Sequence, residues 1–428
     1  MRKLTLIQLA AATYLMVSGG PYGIEELVQT CGYPLALALL LLIPLLWSLP
    51  VGLMVGELSA ALPVEGGFYV WVRRALGPFW GFQEAWLSLT ASIFDMAVYP
   101  TVFVLSLGKI WPPAAHGSNG FLIAAAFVLV CVLWNLFGAR AVGGASVAIG
   151  VLLLGPFVIM TALALFRHGT VASASAPAHS DWAGGILVAM WNYMGWDNAS
   201  TIAGEVENPQ RTYPRVMLLV LAAIFLSYVI PIGAVWKMGI PAADWATGSW
   251  VNFASFAAGE WLGLATLLGA MISTLGTFNS LTLSLSRLPM VMAEDGYAPR
   301  FLARTLSNGV PWAALVTCGI GWIAALQLNF ERLLMLDIVL YGASLILEFI
   351  ALAVLRLREP KLHRPFVVPG GRAAALLLGV GPLVLLTAAA IRSLDEKIGN
   401  VSALAVGVAI MALGIAAYGI AAWRRRSA

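Results

Sequence analysis

Long apolar stretches and short polar connections alternate along this chain from end to end. Twelve apolar runs fall at roughly 4–31, 34–60, 79–108, 119–138, 143–167, 183–206, 213–236, 259–286, 310–328, 333–356, 373–393 and 402–423, near the ~20 residues a helix needs to cross a bilayer core. The pattern predicts an all-α integral membrane protein of 12 transmembrane helices, forming a single domain over 1–428. Composition agrees: 61% of the 428 residues are hydrophobic and 10% are charged, whereas a soluble domain is about a quarter charged. With a mean hydropathy of +0.89, most of the surface has lipid as its solvent.

Charge then sets the orientation. Arg2 and Lys3 precede a first run that lacks a small-residue cleavage site, so the run reads as a mature helix with its amino end in the cytoplasm. Twelve crossings place Lys109, Arg167, Lys237, Arg332, Arg392 and Lys397 outside, which leaves 18 of the 24 basic residues inside. That asymmetry follows the positive-inside rule for a multi-pass protein of the cell membrane with both termini cytoplasmic. It also explains a pI near 9.0 without a nucleic-acid partner. Cys31, Cys131 and Cys318 are scattered in or beside apolar runs, and His116, His168, His179 and His363 lie in connections. There is no nucleophile elbow, Walker loop, HExxH or haem motif. No enzymatic activity, cofactor or metal site is expected; the expected partners are a small-molecule substrate and lipid, with the protein a monomer or weak homodimer.

Two runs are interrupted by polar, helix-breaking residues. The first contains SGGPYGIEE, Ser18 to Glu26, where three glycines and Pro21 predict a break near 18–24. The sixth reads WNYMGWDNAS, with Gly195 flanked by Trp191, Asn192, Tyr193, Trp196, Asp197 and Asn198. Irregular backbone inside a bilayer is tolerated only where it is buried in protein or lines a cavity, and there it binds polar ligands. Five runs separate the breaks, which predicts a five-helix unit (4–167) repeated upside down (183–356), with two more helices over 373–423. The helix restarting at Ile24 would aim its positive end and the amides of Gly19, Gly20 and Gly23 at a carboxylate. A bulky residue at Gly20 is then expected to block substrate without unfolding the bundle.

The residues around these breaks carry a family resemblance. SGGPYGIEE, ELSAALPVEGGFYVWVRRALGPFWGFQEAW and AGEVENPQRTYPR resemble the amino acid, polyamine and organocation (APC) permeases. With FDMAVYP and WDNAS added, the chain is most similar to the plant-type polyamine and amino acid uptake (LAT-like) branch, over spans one to eight; the last four match by hydropathy only. The resemblance implies a LeuT-type 5+5 inverted repeat with helices 1 and 6 broken and transport by alternating access. It implies a substrate carboxylate on the backbone of Ser18, Gly19, Gly20, Pro21, Tyr22, Gly23 and Ile24, and an amino group held by carbonyls from both breaks, with Asn192, Gly195 and Asn198 beside it. Trp196 would gate the site. Glu57, Glu65, Arg73 and Arg74, together with Glu205, Glu207 and Arg211, would latch the cytoplasmic side.

Asp95 and Asp197 lie deep in the membrane without an obvious basic neighbour and are, with Glu25, the candidates for a substrate ammonium or a coupled proton. Glu26, Glu84 and Glu348 are weaker candidates, expected at helix ends or packed against neighbouring helices. The fifth run has no lysine between Arg140 and Arg167, so coupling must use other groups; Ser273, Thr274 and Thr277 offer hydroxyls to sodium, but such faces are common packing devices. Asn279 stands where the polyamine branch tends to carry a glutamate, which favours a zwitterion. The expected function is therefore a permease for an amino acid, with a cationic one reconciling the acids and the amides, driven by protons or exchange. A polyamine such as putrescine or spermidine is the alternative. A channel would need a regular polar stripe, which no span supplies, and an enzyme would have only Asp95 with Asp197 to work with.

Overall fold

The computed structural model describes residues 3–166, 181–327, 330–392, 397–398 and 401–427. Arg2, Arg167, His168 and His179, and the side chains of Arg332, Arg392 and Lys397, lie outside the described residues. The chain is helical almost throughout: α1 (Leu6–Val17), α2 (Glu25–Ile43), α3 (Leu49–Ala61), α4 (Gly67–Leu76), α5 (Pro78–Gly108), α6 (Gly117–Asn135), α7 (Ala139–Phe166), α8 (Trp182–Trp191), α9 (Pro209–Lys237), α10 (Ser249–Ala258), α11 (Glu260–Leu285), α12 (Arg287–Glu294), α13 (Trp312–Ala325), α14 (Phe330–Arg358), α15 (Gly371–Leu377), α16 (Val380–Arg392) and α17 (Ala403–Ser427). A two-residue antiparallel pairing, Lys397–Ile398 with Val401–Ser402, precedes α17.

Among the described residues, nine helical stretches are long and apolar enough to cross a bilayer, and Leu6–Val17, Trp182–Trp191 and Trp312–Ala325 are apolar but shorter. The first two of these are short because each stops at a glycine-bearing break. α1 begins on a capping box: Thr5 Oγ1 accepts from Gln8 N, and Gln8 Oε1 accepts from Thr5 N. Gly32 is non-helical within α2 (φ 70°, ψ 167°), so Glu25–Cys31 completes the first apolar run and the residues after Gly32 begin the second.

The core is built on α1, α5, α11 and α14. α1 packs on α7, α9 and α11, and α5 is sandwiched against α14 and α11. α5 and α14 run antiparallel, since Arg74, just before α5, pairs with Glu359, just after α14. Two short helices match closely. α4 and α10 are both ten residues long. Each is preceded by a left-handed glycine (Gly66, φ 86° ψ −6°; Gly248, φ 85° ψ 10°) and followed by a second glycine of positive φ (Gly77, φ 95° ψ 174°; Gly259, φ 94° ψ 176°) that leads straight into a long helix.

Candidate functional site

At the first break the chain leaves the helix at Ser18 (φ −141°, ψ 128°). Gly20 (φ 80°) and Gly23 (φ 91°) then take the left-handed conformation that glycine alone adopts freely. The released backbone groups are largely engaged inside the protein. Gly20 N donates to Ser18 Oγ (3.0 Å), Gly23 N to Glu25 Oε2 (2.7 Å), Ser273 Oγ to the Gly19 carbonyl (2.5 Å), and Trp250 Nε1 to the Pro21 carbonyl (2.8 Å). Tyr22 Oη reaches the Thr266 carbonyl at 2.6 Å, and Ile24 is fully buried. The expectation that the Gly20 and Gly23 amides stand free for a substrate carboxylate is corrected: side chains of the same segment already occupy them. Glu25 is likewise committed, since its other oxygen accepts from Gly248 N (3.2 Å) at the start of α10. Glu26 accepts from Thr247 at 2.7 Å on the exposed rim. A Cβ at Gly20 would lie 2.7 Å from Leu153 Cδ1, so a bulky residue there would strain the break and press on α7, and it would not be a clean steric block.

The second break, Asn192–Trp196, turns at Gly195 (φ 94°). It packs on the last turn of the helix that leads into the first one: a Cβ on Gly195 would come 2.6 Å from the Met16 carbonyl in α1. Asn192 Nδ2 reaches the Gly23 carbonyl at 3.4 Å. Tyr228 Oη spans the gap, donating to the Asn192 carbonyl (2.8 Å) while lying 2.7 Å from Ser18 Oγ. Trp196 is fully buried and donates to the Tyr193 carbonyl at 2.9 Å, and the Asn198 carbonyl accepts from Ser284 Oγ at 2.7 Å. Tyr341, from α14, donates a short hydrogen bond to Asp197 and accepts one from Gly195 N at 3.0 Å.

Asp197 belongs to a larger set of interior acids. Asp95 accepts from Tyr99 at 2.9 and 3.2 Å. Asp337, on α14, is buried and within electrostatic reach of both Asp95 and Asp197. Nearer the Arg74–Glu359 end of the same helices, Glu84 and Glu348 are wholly buried; both are within electrostatic reach of Asp197, and Glu348 of Glu84. Glu84 Oε1 accepts a long bond from Ser88 (3.4 Å); Glu84 Oε2 and both Glu348 oxygens have no hydrogen-bond partner among the described residues. Of the two placements expected for Glu84 and Glu348, at helix ends or packed against neighbouring helices, the structure shows the second: both are buried within α5 and α14, which pack on each other. The expectation that no span carries a polar stripe is corrected: α14 presents Asp337, Tyr341, Ser344 and Glu348 at i, i+4, i+7 and i+11, one helical face. None of the ion pairs among the described residues involves any of these five acids.

The sequence reading missed Asp337 and Tyr341. The signal was present twice over, since FDMAVYP and LDIVLYG share an Asp-x-x-x-Tyr spacing, and Glu84–Asp95 and Asp337–Glu348 are each eleven residues apart. Asn279, by contrast, turns to α6, where Asn135 Nδ2 donates to its Oδ1 at 2.7 Å. Ser273 and Thr274 donate to backbone carbonyls.

The charged connections between helices are different in kind. Arg73 pairs with Asp295, Arg74 with Glu359 (2.6 Å), Arg287 with Glu205 (2.8 Å), and Glu57 with both Arg356 (2.5 Å) and Arg364 (3.2 Å). Glu65 forms a bridge with Ile202, and burial raises its carboxyl above the ordinary range. Glu207 N donates to the Leu4 carbonyl at 2.9 Å. Arg211 is exposed and enters none of the ion pairs among the described residues. A groove of about 620 Å³ between α1, α7 and α9, lined by residues such as Ile7, Val151 and Leu219, is apolar and contains no residue of either break.

Comparison with known proteins adds an independent line. The family model described as "Amino acid permease" matches residues 6–418. The chain is 31% identical over 412 residues to Polyamine transporter PUT1 of Oryza sativa subsp. japonica, covering 96% of this chain and 78% of that one. It is 32% identical over 419 residues to Polyamine transporter RMV1 of Arabidopsis thaliana, covering 96% and 84%. An uncharacterized transporter of Mycobacterium bovis is 28% identical over 388 residues, covering 85% and 78%.

Proposed function

The chain belongs to the amino acid permease family, and from that premise we propose that it is a secondary transporter that moves a polyamine across the cell membrane by alternating access. One observation carries the reading: Asp95, Asp197, Asp337, Glu84 and Glu348 are gathered in the interior with no arginine or lysine partner among the described residues. Buried carboxylates without a counter-charge are costly and mark functional sites. A flexible chain bearing several ammonium groups, each a donor of charge-assisted hydrogen bonds, answers such a set. A zwitterion answers it less well, because its carboxylate needs donors and two of the three glycine amides foreseen for it are already engaged. Relatives named as polyamine transporters support the same order. The ranking of amino acid over polyamine drawn from sequence is therefore reversed.

In this proposal the chain has twelve spans with both termini cytoplasmic, and the breaks at Ser18–Ile24 and Asn192–Trp196 flank the substrate. The matched caps of α4 and α10 support a five-helix unit repeated in inverted orientation. Asp95, Asp197 and Asp337 take the substrate ammonium groups, and the carbonyls of both breaks assist. Trp196 closes over the site. The arginine–carboxylate layer around Glu57, Arg73, Arg74 and Glu205 is the inner gate. Substrate and protons exchange on the interior acids, and sodium is not required.

The test is uptake of labelled putrescine, spermidine and arginine into proteoliposomes under a pH gradient, with sodium replaced by choline. Saturable spermidine uptake with counterflow is expected. Uptake of arginine and neutral amino acids with no polyamine transport would overturn the reading.

A further inference from the structure

Glu84 and Glu348 have no role in a site confined to the two breaks, yet both are wholly buried and poorly satisfied. Both are 0% exposed, and three of their four carboxylate oxygens lack a hydrogen-bond partner among the described residues. Packing alone does not explain them, because a glutamate deep in a protein within a membrane has no water to fall back on. They lie on α5 and α14, two helices packed against each other, and Glu348 is within electrostatic reach of Glu84. Their positions are also in register with the outer acids. Glu84 lies eleven residues before Asp95 on α5, and Glu348 eleven after Asp337 on the antiparallel α14. Eleven residues are three helical turns, about 16 Å, so each helix presents its two acids on one face. Asp197 stands between the two pairs, within electrostatic reach of Asp337 above and of Glu84 and Glu348 below.

We infer that Glu84 and Glu348 form a second ammonium site, on the cytoplasmic side of Asp197, which receives the third positive group of a triamine or longer polyamine. This rests on the polyamine reading above and deepens it. A diamine is held by the outer pair and Asp197. A longer chain lying along the seam extends past Asp197 and places its next ammonium between the two glutamates. The seam thereby discriminates by number of charges: a diamine leaves the inner pair without a cation, and a triamine supplies one.

Equilibrium binding of putrescine, spermidine and spermine to the purified full-length protein and to its Glu84→Gln and Glu348→Gln variants tests this. Wild type should prefer spermidine and spermine to putrescine. Each variant should lose about tenfold or more for the longer amines, the size of one charge-assisted hydrogen bond, while putrescine stays within about twofold. Retained putrescine binding also certifies that the variant is folded. An equal loss for all three ligands, or unchanged binding of all three together with loss of proton-driven uptake, overturns the inference. Failure of wild type to bind any polyamine overturns the polyamine reading itself, which is a separate outcome.

Discussion

The charged connections and the membrane interior use the same residue types under opposite rules. Around the connections Glu57, Glu205, Asp295 and Glu359 each have an arginine, and Glu57 also accepts from Val368 N at 2.8 Å. In the interior, Asp95 and Asp197 have tyrosine hydroxyls, Glu84 a distant serine, and Glu348 no partner among the described residues. An acid that brings its own cation is part of the scaffold; in the proposed transporter, an acid without one is completed by the substrate. The comparison explains why a charge count along the chain could not separate the two classes.

Breaking a scaffold pair should give the largest effect. Arg287 is 1% exposed and holds Glu205, which is 14% exposed, so Arg287→Ala leaves a partly buried carboxylate unpaired and should cost about 3 kcal/mol. Thermal unfolding in detergent would show this, and retention of the wild-type midpoint would place Glu205 among the acids that need no partner. The interior predicts the opposite sign. Asp337→Asn or Asp197→Asn should leave thermal stability unchanged or raised, while polyamine uptake falls by about a hundredfold, the loss expected when a buried charge pair with the ligand is removed. A variant that unfolds would move that acid to the scaffold class. Asp95 is only partly buried and is already met by Tyr99, so Asp95→Asn should weaken spermidine binding less, by about tenfold; a complete loss in a titration would make it the principal anchor instead.

The smallest effect is expected at the surface. Arg74 and Glu359 are 41% and 32% exposed, and Arg74→Ala should change stability by less than about 1 kcal/mol. The arginine hydrogen bond holds the Glu359 carboxyl below its ordinary range. A depressed folded value means the pair contributes fully above the unfolded-chain value and is lost only as pH falls through the folded one. Between about pH 5 and 8 this latch therefore stays charged, and the pH profile of uptake in Arg74→Ala should overlay that of wild type. A shifted profile would make the latch a proton switch.

What could be read from sequence divides along physical lines. The membrane class and the two breaks are local: glycine and proline in an apolar run act on their own backbone, and Gly20, Gly23 and Gly195 take the positive φ their positions invite. Asp95 and Asp197 were legible because an acid in an apolar run is conspicuous alone. Asp337 was not, since it lies only four residues into its run, 333–356, where an acid reads as interfacial. That it shares a seam with Asp95 follows only from the antiparallel packing of α14 on α5. The charged residues of the connections fared the same way. Glu57, Arg73, Arg74 and Glu205 stood out as charges, but their partners Arg356, Asp295, Glu359 and Arg287 are 82 to 299 positions away. The glycine amides misled for the converse reason: Ser18 and Glu25, two residues from the amides they cap, satisfy Gly20 and Gly23 before any ligand arrives.

The central claim is that the interior acids, and not the glycine amides, recognise the substrate. Competition against labelled spermidine on the purified protein, using putrescine, free arginine and arginine methyl ester, separates these directly. The ester keeps both positive charges and loses the carboxylate. The account predicts that putrescine and the ester displace spermidine at least as well as free arginine does; displacement by free arginine alone, with putrescine and the ester inert, would contradict it.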